Sequence, residues 1–299
     1  MAILVGTASW TDRTLIECGR FYPPEAKTPE ARLRHYASVF PLVEVDSSYY
    51  ALPNAATAQL WAERTPAHFM FNVKAFRLFT GHPTETKVLP KDIQQALGAD
   101  PRLYDRAVPP EIRAELWRRF IEALTPLRLA GKLGLVHFQF PPWLVCNREG
   151  HERVRHCMEQ MAGQVCSVEF RHGSWWRDAL RTAETLAFLR ELGAVHTVVD
   201  GPQGSDRSVP AVWQVTHPDY LLLRLHGRNL GAYMAPATSA AERFDYDYSD
   251  QELRELAIEV TRLAGQTRNT HIVFNNCHED QGQRNGMTFM KMLSHGAPR

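Results

Sequence analysis

Cys166-Ser167-Val168-Glu169-Phe170-Arg171 is the stretch on which the reading of the fold turns. Side chains alternate across a β-strand, so Val168 and Phe170 share one face while Ser167, Glu169 and Arg171 share the other. A strand with one purely apolar face and one charged face fits the wall of a closed barrel, packed on helices outside and carrying polar groups inside. The same split recurs along the chain. Val43 and Val45 oppose Glu44 and Asp46, Phe71 and Val73 oppose Asn72 and Lys74, Val136, Phe138 and Phe140 oppose His137 and Gln139, and Leu223 and Leu225 oppose Arg224 and His226.

Eight short apolar runs of this kind, at 3–9, 43–48, 69–74, 133–140, 166–170, 195–199, 220–226 and 270–276, alternate with longer helical segments. Their starts lie 25 to 64 residues apart, the rhythm of parallel strands joined by helical crossovers. Thr28-Pro29-Glu30 and Pro110-Glu111 open helices, and Ser249-Asp250 opens a third that Gly265 ends. Residues 77–110 carry prolines and mixed charge without a period, which predicts a loop or lid at the barrel mouth. Residues 201–218, with Gly-Pro, Gly-Ser and His-Pro pairs, leave little room for a sixth helix. The expected architecture is α/β: a single (β/α)8 TIM-type barrel over residues 1–299, with a long insertion after the third strand.

Composition narrows the function classes. At 299 residues, 44% hydrophobic and 22% charged, the chain is that of an ordinary globular protein. The longest apolar runs, such as Leu221 to Leu223, are far too short to span a bilayer, so no membrane partner is expected. Met1-Ala2-Ile3-Leu4-Val5 runs into Gly6 without a basic segment and reads as a strand, which makes the cytoplasm the default location. Five cysteines without metal-knuckle spacing suit free thiols. A net charge of +1 argues against bulk attraction to nucleic acid.

The inward charges carry the functional argument. Glu44, Asp46, Glu169 and Asp200 nearly balance Lys74, Arg171 and Arg224, with His226 neutral. Ionisable groups in a barrel interior are expensive to desolvate unless paired, so this set reads either as a structural ion-pair network or as catalytic groups converging on the C-terminal mouth. In the second reading Glu169 and His226 are the candidate acid–base pair. Lys74, Arg171, Arg224 and Arg228 orient a phosphate or carboxylate. A divalent metal on Glu169, Asp200, His226 and His278 is a weaker reading, because Arg171 and Arg224 would repel it. Trp10, Trp143, Trp175 and Trp176 lie just past strand ends, where they either stack on sugars or bases or cap the core. Cys277, beside Asn275, Asn276 and His278, is a poor candidate nucleophile because sequence adjacency makes no catalytic pair. No glycine-rich nucleotide motif occurs at a strand-to-helix junction, so no nucleotide cofactor is expected.

These strand-end residues resemble the domain of unknown function 72 family, the YecE-like barrel proteins, over nearly the whole chain. Gly6-Thr7-Ala8-Ser9-Trp10 is similar to the family's first strand, Val43 to Tyr50 with Leu52-Pro53 to its second, and Phe71-Asn72-Val73-Lys74 leads to Thr80 and His82. Gln139 with Pro141-Pro142, Val168 to His172 with Ser174-Trp175, and Arg224 to Arg228 complete the series. Ser9 stands where the family usually has glycine, Asp46 where asparagine is frequent, and Gly173 where proline is usual. The resemblance implies a TIM-type barrel with its charged cluster at the mouth; Asp46, Tyr49, His82, Gln139, Trp175, Asn275 and Asn276 complete the candidate ligand contacts. It implies no reaction.

Three functions compete: an enzyme, whether hydrolase, lyase or isomerase, for a small anionic, phosphorylated, carboxylated or sugar-like substrate; a nucleic-acid binding or processing protein; and a noncatalytic ligand-binding or scaffold protein.

Overall fold

The computed structural model describes residues 2–205, 208–236 and 239–294. Eight parallel strands close into a barrel in sequence order: β1 Ala2–Ala8, β2 Leu42–Val45, β3 Met70–Lys74, β4 Leu133–Gln139, β5 Cys166–Glu169, β6 Val195–Asp200, β7 Tyr220–Leu225 and β8 Asn269–Phe274. β8 returns to β1, with Ala2 opposite Asn269 and Thr7 opposite Phe274. No helix among the described residues is long and apolar enough to cross a membrane.

The alternation read from the sequence positions the site. Val43, Phe71, Phe138 and Val168 face outward into the main apolar cluster against the surrounding helices. Leu42, Leu135, Leu222 and Val273 face inward and form a small apolar plug. One step further along the same inward phase, Glu44, His137 and Arg224 replace aliphatic residues, so the interior becomes ionic towards the mouth. β6 is the exception: Val198 packs outward with Leu221 and Leu223, which puts Asp200 on the outward phase also.

The helices begin where side-chain caps satisfy their first N–H groups. Thr28 accepts from Ala31 at the start of Pro29–Val39, and Ser249 with Glu252 forms a capping box on Asp250–Ala264. A helix begins at Pro110, and no helix lies between β6 and β7 among the described residues. Two expectations need correction. The strand expected over 43–48 ends at Val45, and Ser47–Tyr50 turns at once into a helix that swings Tyr49 back over Lys74, 4.8 Å from ring centre to Nζ. The second is one of detail: within the insertion, residues 77–110 also hold a bridge between Thr84 and Leu103, the helix Lys91–Leu97 and two 3-10 turns, with Ile93, Leu103 and Val108 buried. Three apolar anchors spaced through polar sequence show no periodicity, which is why the segment reads as a loop.

Candidate functional site at the barrel mouth

Arg224 on β7 is fully buried and organises the interior. Its Nη2 donates to Glu44 Oε1 at 2.6 Å and to Asn275 Oδ1 at 3.0 Å, and its Nη1 donates to Glu169 Oε2 at 2.7 Å and Gln139 Oε1 at 3.3 Å. Glu169 is gripped from the other side by Arg171, whose Nη1 donates to Oε1 at 2.8 Å, while His137 and His226 lie 3.3 and 3.4 Å away. Burial would raise the Glu169 carboxyl, but Arg224 and the imidazoles outweigh it and hold the group well below the usual carboxylate range. A carboxylate held so low is ionised at neutral pH and is a poor general acid or base.

His226 is fixed in one tautomer. Asn275 accepts from Arg224 through Oδ1, so the Nδ2 that faces His226 Nδ1 at 2.8 Å must donate. Nδ1 is therefore the acceptor and Nε2 carries the proton, pointing to Glu169. Burial first, with Arg224 and Arg171 nearby, lowers the His226 pKa to about 3 against the pull of Glu169. Glu169 and His226, the acid–base candidates from the sequence, are thus brought together in one hydrogen-bonded frame with Arg171, Arg224 and Asn275. Among the described residues a slot of about 10 Å³, room for about one water, lies beside Arg171 and His226 and is lined by Tyr233, whose hydroxyl accepts from Arg171 at 3.2 Å.

A second cluster lies at the ends of β2 and β3. Lys74 pairs with Asp46 at 3.1 Å beneath Tyr49. Burial opposes the Lys74 charge, yet Asp46 and Glu44 raise its pKa above the usual lysine value. Arg77 stacks over the other part of this group, 5.5 Å from the Tyr49 ring centre. Its Nε is buried and has no hydrogen-bond partner among the described residues. His82 stands edge-on to Tyr49 and to Trp143, at 5.4 and 5.5 Å. Burial, then Arg77, Lys74 and Arg171, lower its pKa to about 3, so these cations surround one neutral imidazole. Four cations, Lys74, Arg77, Arg171 and Arg224, face three carboxylates, Glu44, Asp46 and Glu169, and the surplus positive charge resides on Arg77.

Several sequence candidates lie elsewhere. Arg228 is bound by both oxygens of Asp200 and by Glu252, beside Tyr248, on the outer side of β6. Asp200 therefore does not join Glu169 and His226, and among the described residues no three histidine, cysteine or acidic side chains form a metal-holding cluster. Trp175 is completely buried, stacked on Phe170 at 3.8 Å and donating to Leu144 O, so its ring is closed to a ligand. Trp10 and Trp176 are buried too, and only Trp143, 55% exposed, offers an open face. Asn276 is buried and donates to Tyr246 O and Asn285 Oδ1, a structural role. Burial, with Asp12 and Asp46, pushes the Cys277 thiol up to about 12. Two residues escaped the sequence reading: Arg77, masked by its place at the start of the insertion, and Tyr233, which arrives from a short helix that no strand phase announces.

Beside His82 a cleft of about 410 Å³ opens between Thr80-Gly81 and Trp143. Neither Arg77 nor the Glu169–His226 frame lines this cleft; Trp143, whose ring lies 5.5 Å from that of His82, joins it to the cationic cluster.

The chain is 32% identical to UPF0759 protein YunF of Bacillus subtilis (strain 168) over 294 residues, covering 97% of this chain and 94% of that protein. It superposes on the DUF72 family protein TM1631 from Thermotoga maritima MSB8 with a TM-score of 0.77 at 29% identity, covering 98% of this chain and 100% of the other. The DUF72 family protein EF0366 from Enterococcus faecalis V583 shares the fold, with a TM-score of 0.80 at 24% identity over 98% of this chain and 96% of the other. The family described as "Protein of unknown function DUF72" matches residues 4–299, and with the barrel and its ionic interior this chain belongs to that family.

Proposed function

We propose that the barrel mouth binds a small phosphorylated or carboxylated molecule, its anionic group held by Arg77 with Lys74 and Arg171. The supporting observation is Arg77, a half-buried guanidinium whose Nε is sealed from solvent without a partner, in a site where Arg171, Arg224 and Lys74 each have a carboxylate. A half-buried guanidinium with one N–H unmet and no carboxylate beside it is a ready partner for an anionic ligand. Its planar fork suits two oxygens of phosphate or carboxylate. Glu169 and His226 serve this reading as positioning residues that fix Arg171 and Arg224. His82, held neutral beside the cations, serves this reading as a hydrogen-bond acceptor for the ligand.

Calorimetric titration with inorganic phosphate tests the reading. Arg77→Gln is expected to weaken binding at least tenfold, whereas Arg228→Gln, whose guanidinium is already neutralised by Asp200, leaves it within about twofold. Equal affinities for the wild type and Arg77→Gln would remove the assignment.

A further inference from the structure

The hydrogen bonds around His82 define what kind of anion the mouth accepts. Thr80 Oγ1 donates to Arg77 O at 3.0 Å, which uses its single proton. The 2.8 Å contact between Thr80 Oγ1 and His82 Nδ1 must then be donated by the ring. Nδ1 carries the proton, and Nε2, the other ring nitrogen, is left as the acceptor, its lone pair without a hydrogen bond from the described residues. An imidazolium there would face Arg77, Lys74 and Arg171, with Asp46 already committed to Lys74, so the acceptor state is the stable one. A site that holds an anion through cations and offers one lone pair beside them asks its ligand for a donor group close to the charge.

The surroundings specify the rest of the ligand. Trp143 is edge-on to His82 yet 55% exposed, and its open face borders the cleft of about 410 Å³. Asn147, Glu149, Arg106 and Arg153 line the same cleft, with Arg153 paired to Asp105 at 3.0 Å. That volume falls within the range of small-molecule pockets, and an exposed indole flanked by polar side chains suits the C–H face of a hydroxylated carbon frame.

We propose that the ligand is a hydroxylated anion, a phosphorylated or carboxylated polyol or sugar, with a hydroxyl donating to His82 Nε2 and its carbon frame lying against Trp143. The inference rests on the anion reading above and adds the chemical class to it. No covalent step is part of it.

Matched probes test it. Glycerol 3-phosphate and propyl phosphate differ in hydroxyls but share the charged group; glycerate and butyrate form the carboxylate pair. The wild type is expected to bind the hydroxylated member of at least one pair ten times more tightly or better, and the preferred pair identifies the anionic group. His82→Phe should bring that pair within twofold while leaving propyl phosphate or butyrate within threefold of wild type. Trp143→Ala, an exposed position, should weaken glucose 6-phosphate more than inorganic phosphate. Equal binding of both members of each pair, or discrimination that survives in His82→Phe, would overturn this inference and leave the anion site standing. Absence of binding to every probe, inorganic phosphate included, would overturn both. The imidazole ¹⁵N spectrum of the full chain gives a variant-free check: His82 should be protonated on Nδ1, and protonation on Nε2 instead refutes the proposal.

Discussion

Arg224 and Glu44, 180 residues apart in sequence, meet across the barrel interior at 2.6 Å with both side chains fully buried. Glu44 has no other ion-pair partner among the described residues, and its second oxygen has no hydrogen bond there. Truncating the arginine therefore strands the Glu44 carboxylate, while Glu169 retains Arg171. Breaking a buried pair costs about 3–5 kcal/mol, whereas replacing both partners by apolar groups of similar volume is often neutral. Arg224→Met should lower unfolding stability by about that amount, and Glu44→Met/Arg224→Met should regain more than half of it. Denaturant melts of the two variants decide, since an additive double mutant would show that Glu44 and Arg224 are not coupled.

The buried histidines make the protein acid-labile. Burial holds His196 and His271 at about 4, and burial with neighbouring cations holds His82 and His226 at about 3. Each lies below the ordinary histidine value, so the unfolded chain binds protons that the folded chain refuses. The stabilisation is complete above about pH 6.5 and is lost as pH falls towards 4 and then 3, by up to about 1.4 kcal/mol per pH unit for each histidine. Glu169, also held low, adds to the loss below the usual carboxylate range. Thermal unfolding at pH 5, followed calorimetrically in buffers of different ionisation enthalpy, should take up at least about four protons, since burial lowers His137 as well. His271→Gln should reduce the uptake by about one, and no reduction would mean that His271 is not held neutral.

Gly227 follows His226 and takes φ +82°. A Cβ there would sit 2.4 Å from Cβ of Tyr246, and the Gly227 N–H donates to the Tyr248 hydroxyl, which in turn donates to Asp200. Both the backbone and the space require glycine. Gly227→Ala should destabilise by about 2–4 kcal/mol, a strained backbone of about 1–3 kcal/mol with displacement of Tyr246 on top. A loss under about 0.5 kcal/mol in a denaturant melt would show that the turn relaxes freely.

Much of this arrangement is legible in the sequence. The two-residue phase of Val168 and Phe170 against Ser167, Glu169 and Arg171 reports directly on a wall with an inside and an outside, and it placed Glu44, Lys74, Arg224 and His226 together. Phase fails where two neighbours are both polar or where the chain leaves the strand. Asp200 belongs to the outer phase of β6, but its charge invited an inward reading. Trp175 follows a strand end, yet a 3-10 turn over Gly173–Trp175 folds its ring under Phe170. Proton roles were illegible for a different reason. They depend on which amide oxygen of Asn275 and which hydroxyl proton of Thr80 is already spent, and such bookkeeping exists only in three dimensions.

Cys277 offers a test of the electrostatics at the other edge of the mouth. Burial dominates the rise of its thiol to about 12, with Asp12 and Asp46 adding to it and Lys74 opposing. The thiolate, which is the reactive species, is therefore scarce at neutral pH. Iodoacetamide labelling of the native protein, followed by peptide mass spectrometry, should modify Cys277 slowly and gain about tenfold in rate per pH unit between pH 8 and 10, because the thiolate fraction grows in that proportion below the pKa. Asp46→Asn removes one of the two carboxylates and leaves Lys74 without its partner, so it should speed labelling at pH 8. Rapid labelling of the wild type at pH 7, or a rate already flat above pH 8, would place an activated thiol at the mouth and return Cys277 to the candidate nucleophiles.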